Sequence, residues 1–355
     1  MSRKVFPKIA LGLTLLGAVG LAGCAQPPAT SQPSETPSTG KVQENFKACM
    51  VSVEGGFSTP VGKQAEAGLS KSQEDLGIET NEVEADDIPR ALQQMVSSGC
   101  KLIFGVGEDM TTPLEAAAKT NPDVNFALLG GTPNQQLGNL KPMVFNTHEV
   151  GFLAGYLAAS QTKSGTVGVF GGLFVPSVTM YLDGFVQGVS YYNGKNSADV
   201  KVVGWDQQAK SGSYITDGDP FNNPDAAKTI TSELIGKGAD VIMPVAEVSN
   251  KGAIEPAKAA GAKLIWSGVD GCTENADACD IIIASAIRDY SSAVSDVIYQ
   301  TKEGEFSNTA YIGTLKNAGA KLVGLSSDEA KAKIREVSDG IVAGGIEVHS
   351  DAAVG

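Results

Sequence analysis

The sequence predicts an α/β protein of two doubly wound lobes, and three observations carry that expectation. After Lys41, short apolar runs alternate with amphipathic stretches, the pattern of βα units feeding mostly parallel sheets. About 310 residues follow an N-terminal region with little to pack, more than one hydrophobic core normally serves. The predicted strands end repeatedly in glycine or polar residues, which is how the ligand-receiving edge of an open α/β sheet reads.

The chain opens on a processing signal. Arg3, Lys4 and Lys8 precede an apolar segment over 9–21 that is short for a membrane span and suits a cleaved signal peptide. Leu21-Ala22-Gly23-Cys24 then places two small residues before a cysteine, so residues 1–23 are expected to be removed and Cys24 to carry a lipid. The alternative is an ordinary secretory cut near Ala25, which exports the protein without the anchor. Residues 24–45 are rich in Pro, Ser and Thr and are expected to form a disordered tether. No later hydrophobic run is long enough to cross a bilayer, so the body is expected at the extracytoplasmic face of the cell membrane, lipid-anchored.

In the body, strands are predicted over 47–52, 101–105, 124–129, 166–170, 200–204, 241–244, 263–267 and 281–285. Helices are predicted over 64–76, 88–97, 113–119, 149–163, 178–192, 224–237, 251–260 and 289–303. A last helix over 328–342 has Ser326 three residues before Glu329, a capping-box spacing. At the strand ends stand Glu54, Gly107 with Glu108, Gly130-Gly131, Gly171-Gly172, Trp205-Asp206, Ala246-Glu247 and Gly268-Val269-Asp270. Turn chemistry explains most of these glycines one by one; their repeated placement points to a cleft edge. No GxGxxG or GxxxxGK[ST] loop is present to cradle a phosphate.

Composition narrows the function. With 40 acidic against 27 basic residues the formal charge is −13, which disfavours a nucleic-acid partner. Of five cysteines, one is assigned to the lipid and four remain to pair in an oxidising compartment. Cys272 and Cys279 flank a polar loop that a local disulfide would pin, while Cys49 and Cys100 lie on or beside neighbouring strands and are the second candidate pair. Zinc is the competing reading, but there is no CxxC and the histidines are only His148 and His349, far apart in sequence, so neither metal nor cofactor is expected. His148-Glu149 has no nucleophile or catalytic motif alongside, so no enzyme activity is expected.

Several motifs, taken in order, carry a resemblance. They are Asn121-Pro122-Asp123-Val124-Asn125-Phe126-Ala127, the stretch Glu149-Val150-Gly151-Phe152-Leu153-Ala154-Gly155-Tyr156-Leu157, and Val167-Gly168-Val169-Phe170-Gly171-Gly172 with Pro176 and Asp183-Gly184-Phe185. Gly238-Ala239-Asp240-Val241-Ile242 and Gly268-Val269-Asp270 continue them. From about 46 to 348 the chain resembles the basic membrane protein family of ABC-transporter solute-binding lipoproteins, whose best understood members are purine-nucleoside receptors. The resemblance implies a type I periplasmic-binding-protein fold, two doubly wound α/β lobes joined by crossing strands near His148, Gly268 and Gly313. It assigns 46–147 plus 270–312 to an N-terminal lobe and 148–269 plus 313–355 to a C-terminal lobe. It also implies a small nucleoside-like, sugar-bearing ligand and, as partners, an ABC permease with its ATPase. A surface sensor or accessory lipoprotein of the same fold that no longer imports nucleosides is the alternative.

The family's ligand positions are only partly kept. Val53 stands where an Asp bonds the base, Val61 or Gly62 where a Phe stacks, and Met243 where a second Phe stacks in many members. Glu247 and Val248 interrupt a Gly-Gly turn. Asp270, the family's acceptor for sugar hydroxyls, is retained, and Arg288 occupies the place of a ligand-reaching Lys. For Asp270 the competing role is a turn-forming residue; for Arg288 it is an ion pair with Asp270 or Asp289. Phe57, Phe174, Trp205 and Phe221 are the candidates for a replacement stacking face, and Met243 is a candidate soft lid, each against a structural role in the core.

Overall fold

The computed structural model describes residues 45–353, so the signal peptide, Cys24 and most of the tether lie outside the described residues. The first lobe starts with β1 (Lys47–Ser52), α1 (Pro60–Leu76), β2 (Glu79–Glu84), α2 (Ile88–Ser97), β3 (Leu102–Val106), α3 (Thr111–Thr120), β4 (Asn125–Leu129) and β5 (Leu140–Phe145). The second follows with α4 (Thr147–Gln161), β6 (Thr166–Gly171), α5 (Pro176–Asn196), β7 (Lys201–Val203), a small hairpin of β8 (Trp205–Asp206) and β9 (Ser211–Gly212), and α6 (Pro224–Gly236). It continues through β10 (Val241–Val245), α7 (Ile254–Ala260), β11 (Lys263–Gly268), α8 (Gly271–Glu274) and β12 (Ile282–Arg288). Then α9 (Tyr290–Lys302) and β13 (Tyr311–Gly313) return to the first lobe, and β14 (Ala320–Val323) and α10 (Asp328–Val342) close the second.

Two six-stranded sheets result, ordered β13-β5-β4-β3-β1-β2 and β14-β12-β11-β10-β6-β7. Every pairing in the first is parallel, and in the second only β14 runs antiparallel, against β12. Such sheets are covered on both faces, and the alternation along each strand shows it. In β1, Ala48 and Met50 join the core under α1 and α9, while Cys49 and Val51 join the core under α2 and α3. In the second sheet, Val241, Met243 and Val245 face α4 and α5, while Ile242, Leu264 and Trp266 face α6 and α7.

The division of the chain between lobes differs from the expected one at one point. Residues 270–288 were expected in the first lobe, but β12 pairs with β11 and β14 and so belongs to the second sheet. The loop after Gly268 turns back through α8 onto the same sheet, with Gly271 N donating to Ser285 Oγ. The chain leaves the second sheet only where β12 ends at Arg288. Short or poorly patterned strands account for the other differences. β2 is a charged edge strand, β5 carries Pro142 and a buried Lys141 whose Nζ donates to Thr309 O, and β13 and β14 are three and four residues long. The last helix is capped by Ser327, whose Oγ accepts from Ala330 N, one residue later than the capping-box spacing indicated.

Two disulfides tie the lobes internally. Cys49–Cys100 links β1 to a position two residues before β3, and Cys272–Cys279 closes the polar loop between β11 and β12. In the second lobe, α4 and α5 pack backbone against backbone. A Cβ placed on Gly155 would meet Phe185 O at 1.9 Å, and one on Gly184 would meet His148 O at 2.0 Å. Gly151 and Gly188 make the reciprocal close approaches to Tyr181 O and Phe152 O. Small residues spaced four apart on both helices bring the axes together, and any side chain there forces them apart. Gly155→Leu is therefore expected to cost about 3 kcal/mol or more, read as a lower melting temperature by circular dichroism; an unchanged melt would show that the two helices separate freely.

Candidate functional site

All the parallel strands of a sheet end on one side, and here the chain passes between the sheets from those ends. Three connections make the passage: β5 to α4, β12 to α9, and β13 to β14. They are stitched to one another. Asn146 N donates to Gly313 O, Asp289 N to Gly319 O, and Leu315 N to a Glu149 carboxylate oxygen. Asn317 folds the last connection, accepting from Thr314 N and Gly319 N and donating to Ile312 O. Asp289 accepts from Lys321 Nζ at 2.6 Å; burial opposes its ionisation, but this bond and those from Ser292 hold its carboxyl below the usual range.

His148 sits at the first connection. It is 6% exposed, its Nδ1 has no hydrogen-bond partner among the described residues, and the same holds for Thr147 Oγ1. Burial first, and the neighbouring His349 second, push the imidazole down from 6.5 to about 4. The ring is therefore neutral at pH 7, packed at the connection between the lobes.

The second sheet's edge carries a charged group. Arg288 Nη2 donates to Glu247 Oε1 at 2.5 Å, and its guanidinium lies 5.2 Å from the Tyr290 ring centroid. Arg288 Nε is buried without a partner among the described residues. Arg288 ends β12 and Glu247 lies two residues beyond the end of β10; these strands flank β11, so the ion pair spans the end of β11. Gly268 lies beneath it: a Cβ there would stand 3.6 Å from Arg288 Nη2 and 3.9 Å from the Glu247 carboxylate. Glu247 adopts φ +52°, a left-handed conformation that costs a non-glycine residue energy and that a glycine would take freely. Arg288 thus pairs with Glu247, and neither Asp270 nor Asp289 is its partner.

Asp270 follows β11 and caps α8, its Oδ1 accepting from Cys272 N at 3.0 Å. Its other carboxylate oxygen takes no hydrogen bond from a described residue, and the side chain is half-buried. The turn-forming role is therefore real and leaves one oxygen free. Behind it, Ala246 N donates to Asn250 Oδ1, Asn250 Nδ2 to Ser267 Oγ, and Ser267 Oγ to Pro244 O, a buried chain that fixes the ends of β10 and β11.

An aromatic group stands beside β6. Phe174 is 54% exposed; its ring centroid lies 6.0 Å from Trp205 and 5.8 Å from Tyr214, and those two are 5.9 Å apart. Trp205 is anchored through Nε1 to Asp183 Oδ1 at 2.9 Å, and Ser350 Oγ holds the other oxygen of that buried carboxylate at 2.6 Å. Tyr214 lies alongside the end of β6, bridged to Gly171, with its hydroxyl buried and without a partner among the described residues. Burial and the charge of Asp183 push that phenol upward, so it stays neutral.

The remaining candidates divide clearly. On the first sheet's edge, Glu54 and Glu108 are exposed, and Gly107 takes φ +108° after β3. Phe57 is only 9% exposed, packed in the first core with its N donating to Glu84 Oε1, so it offers no open stacking face. Met243 is 0% exposed in mid-strand beneath α4 and α5 and is no lid. Asp206 accepts from Gln208 N and Ala209 N and shapes the β8–β9 turn. Phe221 is half-buried against Gly172. Sequence reading missed Tyr214, because a lone tyrosine in a polar loop carries no periodic signal, and Asp183 with Ser350, which meet only in the fold. Among the described residues no group of three His, Cys, Asp or Glu side chains is placed to hold a metal ion.

Comparison with known proteins comes to the same fold. Residues 46–351 match the family described as "ABC transporter substrate-binding protein PnrA-like". The chain is 27% identical to an ABC transporter nucleoside-binding protein of Lactococcus lactis subsp. cremoris, over 99% of this chain and 100% of that one. It is 28% identical to basic membrane protein A2 of Borrelia garinii subsp. bavariensis, over 79% of this chain and 80% of the relative. A transcriptional activator of the comK gene from Bacillus halodurans superposes with TM-score 0.71 at 20% identity, over 85% of this chain and 100% of that structure. A solute-binding protein of an ABC transporter system from Aeropyrum pernix superposes with TM-score 0.67 at 21% identity, over 86% and 94%.

Two outcomes are expected. Glu247→Ala strands a buried guanidinium and costs about 2 kcal/mol in denaturant titration, while adding Arg288→Met recovers part of the loss because no charge is then left unpaired. Secondly, His148 binds its proton in the unfolded chain near pH 6.5 but in the fold only near pH 4. Stability is therefore present above 6.5 and lost as pH falls to about 4, by about 2–3 kcal/mol. Melting curves of His148→Gln should lack that part of the slope; an identical slope would refute the assignment.

Proposed function

The chain belongs to the PnrA-like family of ABC transporter substrate-binding proteins, and on that footing we propose that it is a membrane-anchored, extracytoplasmic receptor for a nucleoside-like, sugar-bearing ligand. The two lobes close around the ligand, and the closed form delivers it to an ABC permease and its ATPase. Closure follows from the ligand's preference for contacts with both lobes at once. The lipid on Cys24 and the tether over 24–45 hold the receptor at the membrane surface, and among the described residues no helix is long and apolar enough to cross one.

Asp270 carries the proposal. Its capped turn fixes one oxygen and leaves the other at the edge of the second sheet, where a carboxylate accepts hydrogen bonds from a diol. The Arg288–Glu247 pair beside it balances its own charge, so the edge suits a neutral ligand better than an anion. Arg288 accordingly positions the edge and does not need to neutralise the ligand. Family membership and the absence of a motif for chemistry support a binding protein over an enzyme.

A second reading is a sensor or accessory lipoprotein that has given up import. Val53 and the buried Met243, at positions where relatives contact the base, favour it. Nucleoside uptake by cells lacking the chain separates the two, since only the importer reading requires uptake to fall. For the binding claim, Asp270→Asn keeps the cap acceptor while removing the charge. Isothermal titration with adenosine should show affinity weakened about 10- to 100-fold, the loss of a charged hydrogen bond of about 1.5–3 kcal/mol; affinity within twofold of the unsubstituted protein would sink the assignment.

A further inference from the structure

The positions where the family stacks a base are gone in this chain, yet the second sheet's edge presents an aromatic ring to solvent. Phe174 is 54% exposed, and it is the only phenylalanine among the exposed large hydrophobic residues described. The turn that presents it is fixed at both sides: Gly172 N donates to Val245 O, and Val175 N to Leu173 O. Tyr214 meets it edge-on at 82° and Trp205 at 50°, so the ring is braced from behind by two aromatics that are themselves held by the sheet and by Asp183. A braced, exposed ring has one face to offer.

Its place along the sheet edge indicates what it faces. The second sheet runs β12-β11-β10-β6, so Arg288, Asp270, Glu247 and Phe174 follow strand ends in that spatial order. Phe174 and Asp270 follow strands two interstrand spacings apart, roughly 10 Å, close enough for one ligand carrying a planar ring and a diol to reach both. The other replacement faces are less open: Phe57 and Trp205 are 9% and 6% exposed, and Phe221 is half-buried and packed on Gly172.

We propose that Phe174, backed by Tyr214 and Trp205, is the ring-stacking wall of this site and determines its preference for a ligand with a planar ring joined to a sugar. The proposal rests on the binding reading above. It moves the ring contact onto the turn after β6, in the lobe that also holds Asp270, so one lobe alone engages both ends of the ligand and the other lobe closes over it. Stacking on a single face is sequence-tolerant among rings, which predicts selectivity for ring over no ring, with little preference among bases.

The test is titration of the full chain with adenosine and with free D-ribose, followed by calorimetry and by fluorescence. Trp205 is a built-in reporter, since its ring lies 6.0 Å from Phe174, whereas Trp266 packs in the core under α6 and α7. The expected result is adenosine binding tighter than ribose. Phe174→Ala should weaken adenosine about tenfold while leaving ribose within twofold, and Phe174→Trp should retain adenosine affinity. Because Phe174 is exposed, both variants should melt within about 2 °C of the unsubstituted protein. Equal adenosine affinity in Phe174→Ala, with Asp270→Asn still weakening it, overturns the wall and leaves the receptor reading standing. Binding of neither adenosine nor ribose by the unsubstituted protein removes both.

Discussion

The Arg288–Glu247 pair is the constraint around which the second lobe's edge is arranged. A guanidinium at the end of an interior strand, one residue before the chain leaves for the other lobe, must be paired or it destabilises the fold by about 2 kcal/mol. Its carboxylate partner follows the strand two positions away, with Gly268 between them; a Cβ there would make only ordinary contacts with both groups, and it is the backbone, at φ +86°, that calls for glycine. Glu247 has to turn its side chain inward from a left-handed backbone, and it does so at φ +52°. One electrostatic demand thus accounts for a strained glutamate and the seat of the guanidinium against Tyr290.

That arrangement leaves the edge divided by chemistry. At one end stand a balanced charge pair and the free oxygen of Asp270; at the other stands the aromatic group of Phe174, Tyr214 and Trp205. On the proposed reading, a ligand with a hydroxylated part and a planar part meets each with its matching face; the network through Asn250 and Ser267 fixes the strand ends between them. The lobe connections are bonded to one another through Asn146, Asp289 and Glu149, which suits the proposed closure to a rotation about a stitched edge.

Much of the fold was legible because burial on both faces of a parallel sheet leaves continuous apolar runs. The strands predicted at 47–52, 166–170 and 263–267 and the helices at 88–97 and 328–342 match or nearly match the observed elements for that reason. β2 and β5 escaped because an edge strand rich in glutamate and a strand interrupted by lysine and proline lack the run. At the site, Asp270 could be singled out from its place after an apolar strand and a glycine. Met243 could not be judged, since a methionine after two aliphatics reads the same whether it faces a ligand or, as here, a helix pair.

What the sequence alone determined is therefore local and periodic: the alternation of strands and helices and the apolar runs of the buried strands. Tertiary structure decided which residues meet. Glu247 finds Arg288 across 41 positions of sequence, Ser350 finds Asp183 across 167, and Tyr214 finds Phe174 only because a loop runs beside β6. The physical reason is that periodic burial is written in neighbours three or four residues apart, whereas the partners of a charge or an exposed ring are set by strand order, which no local pattern encodes.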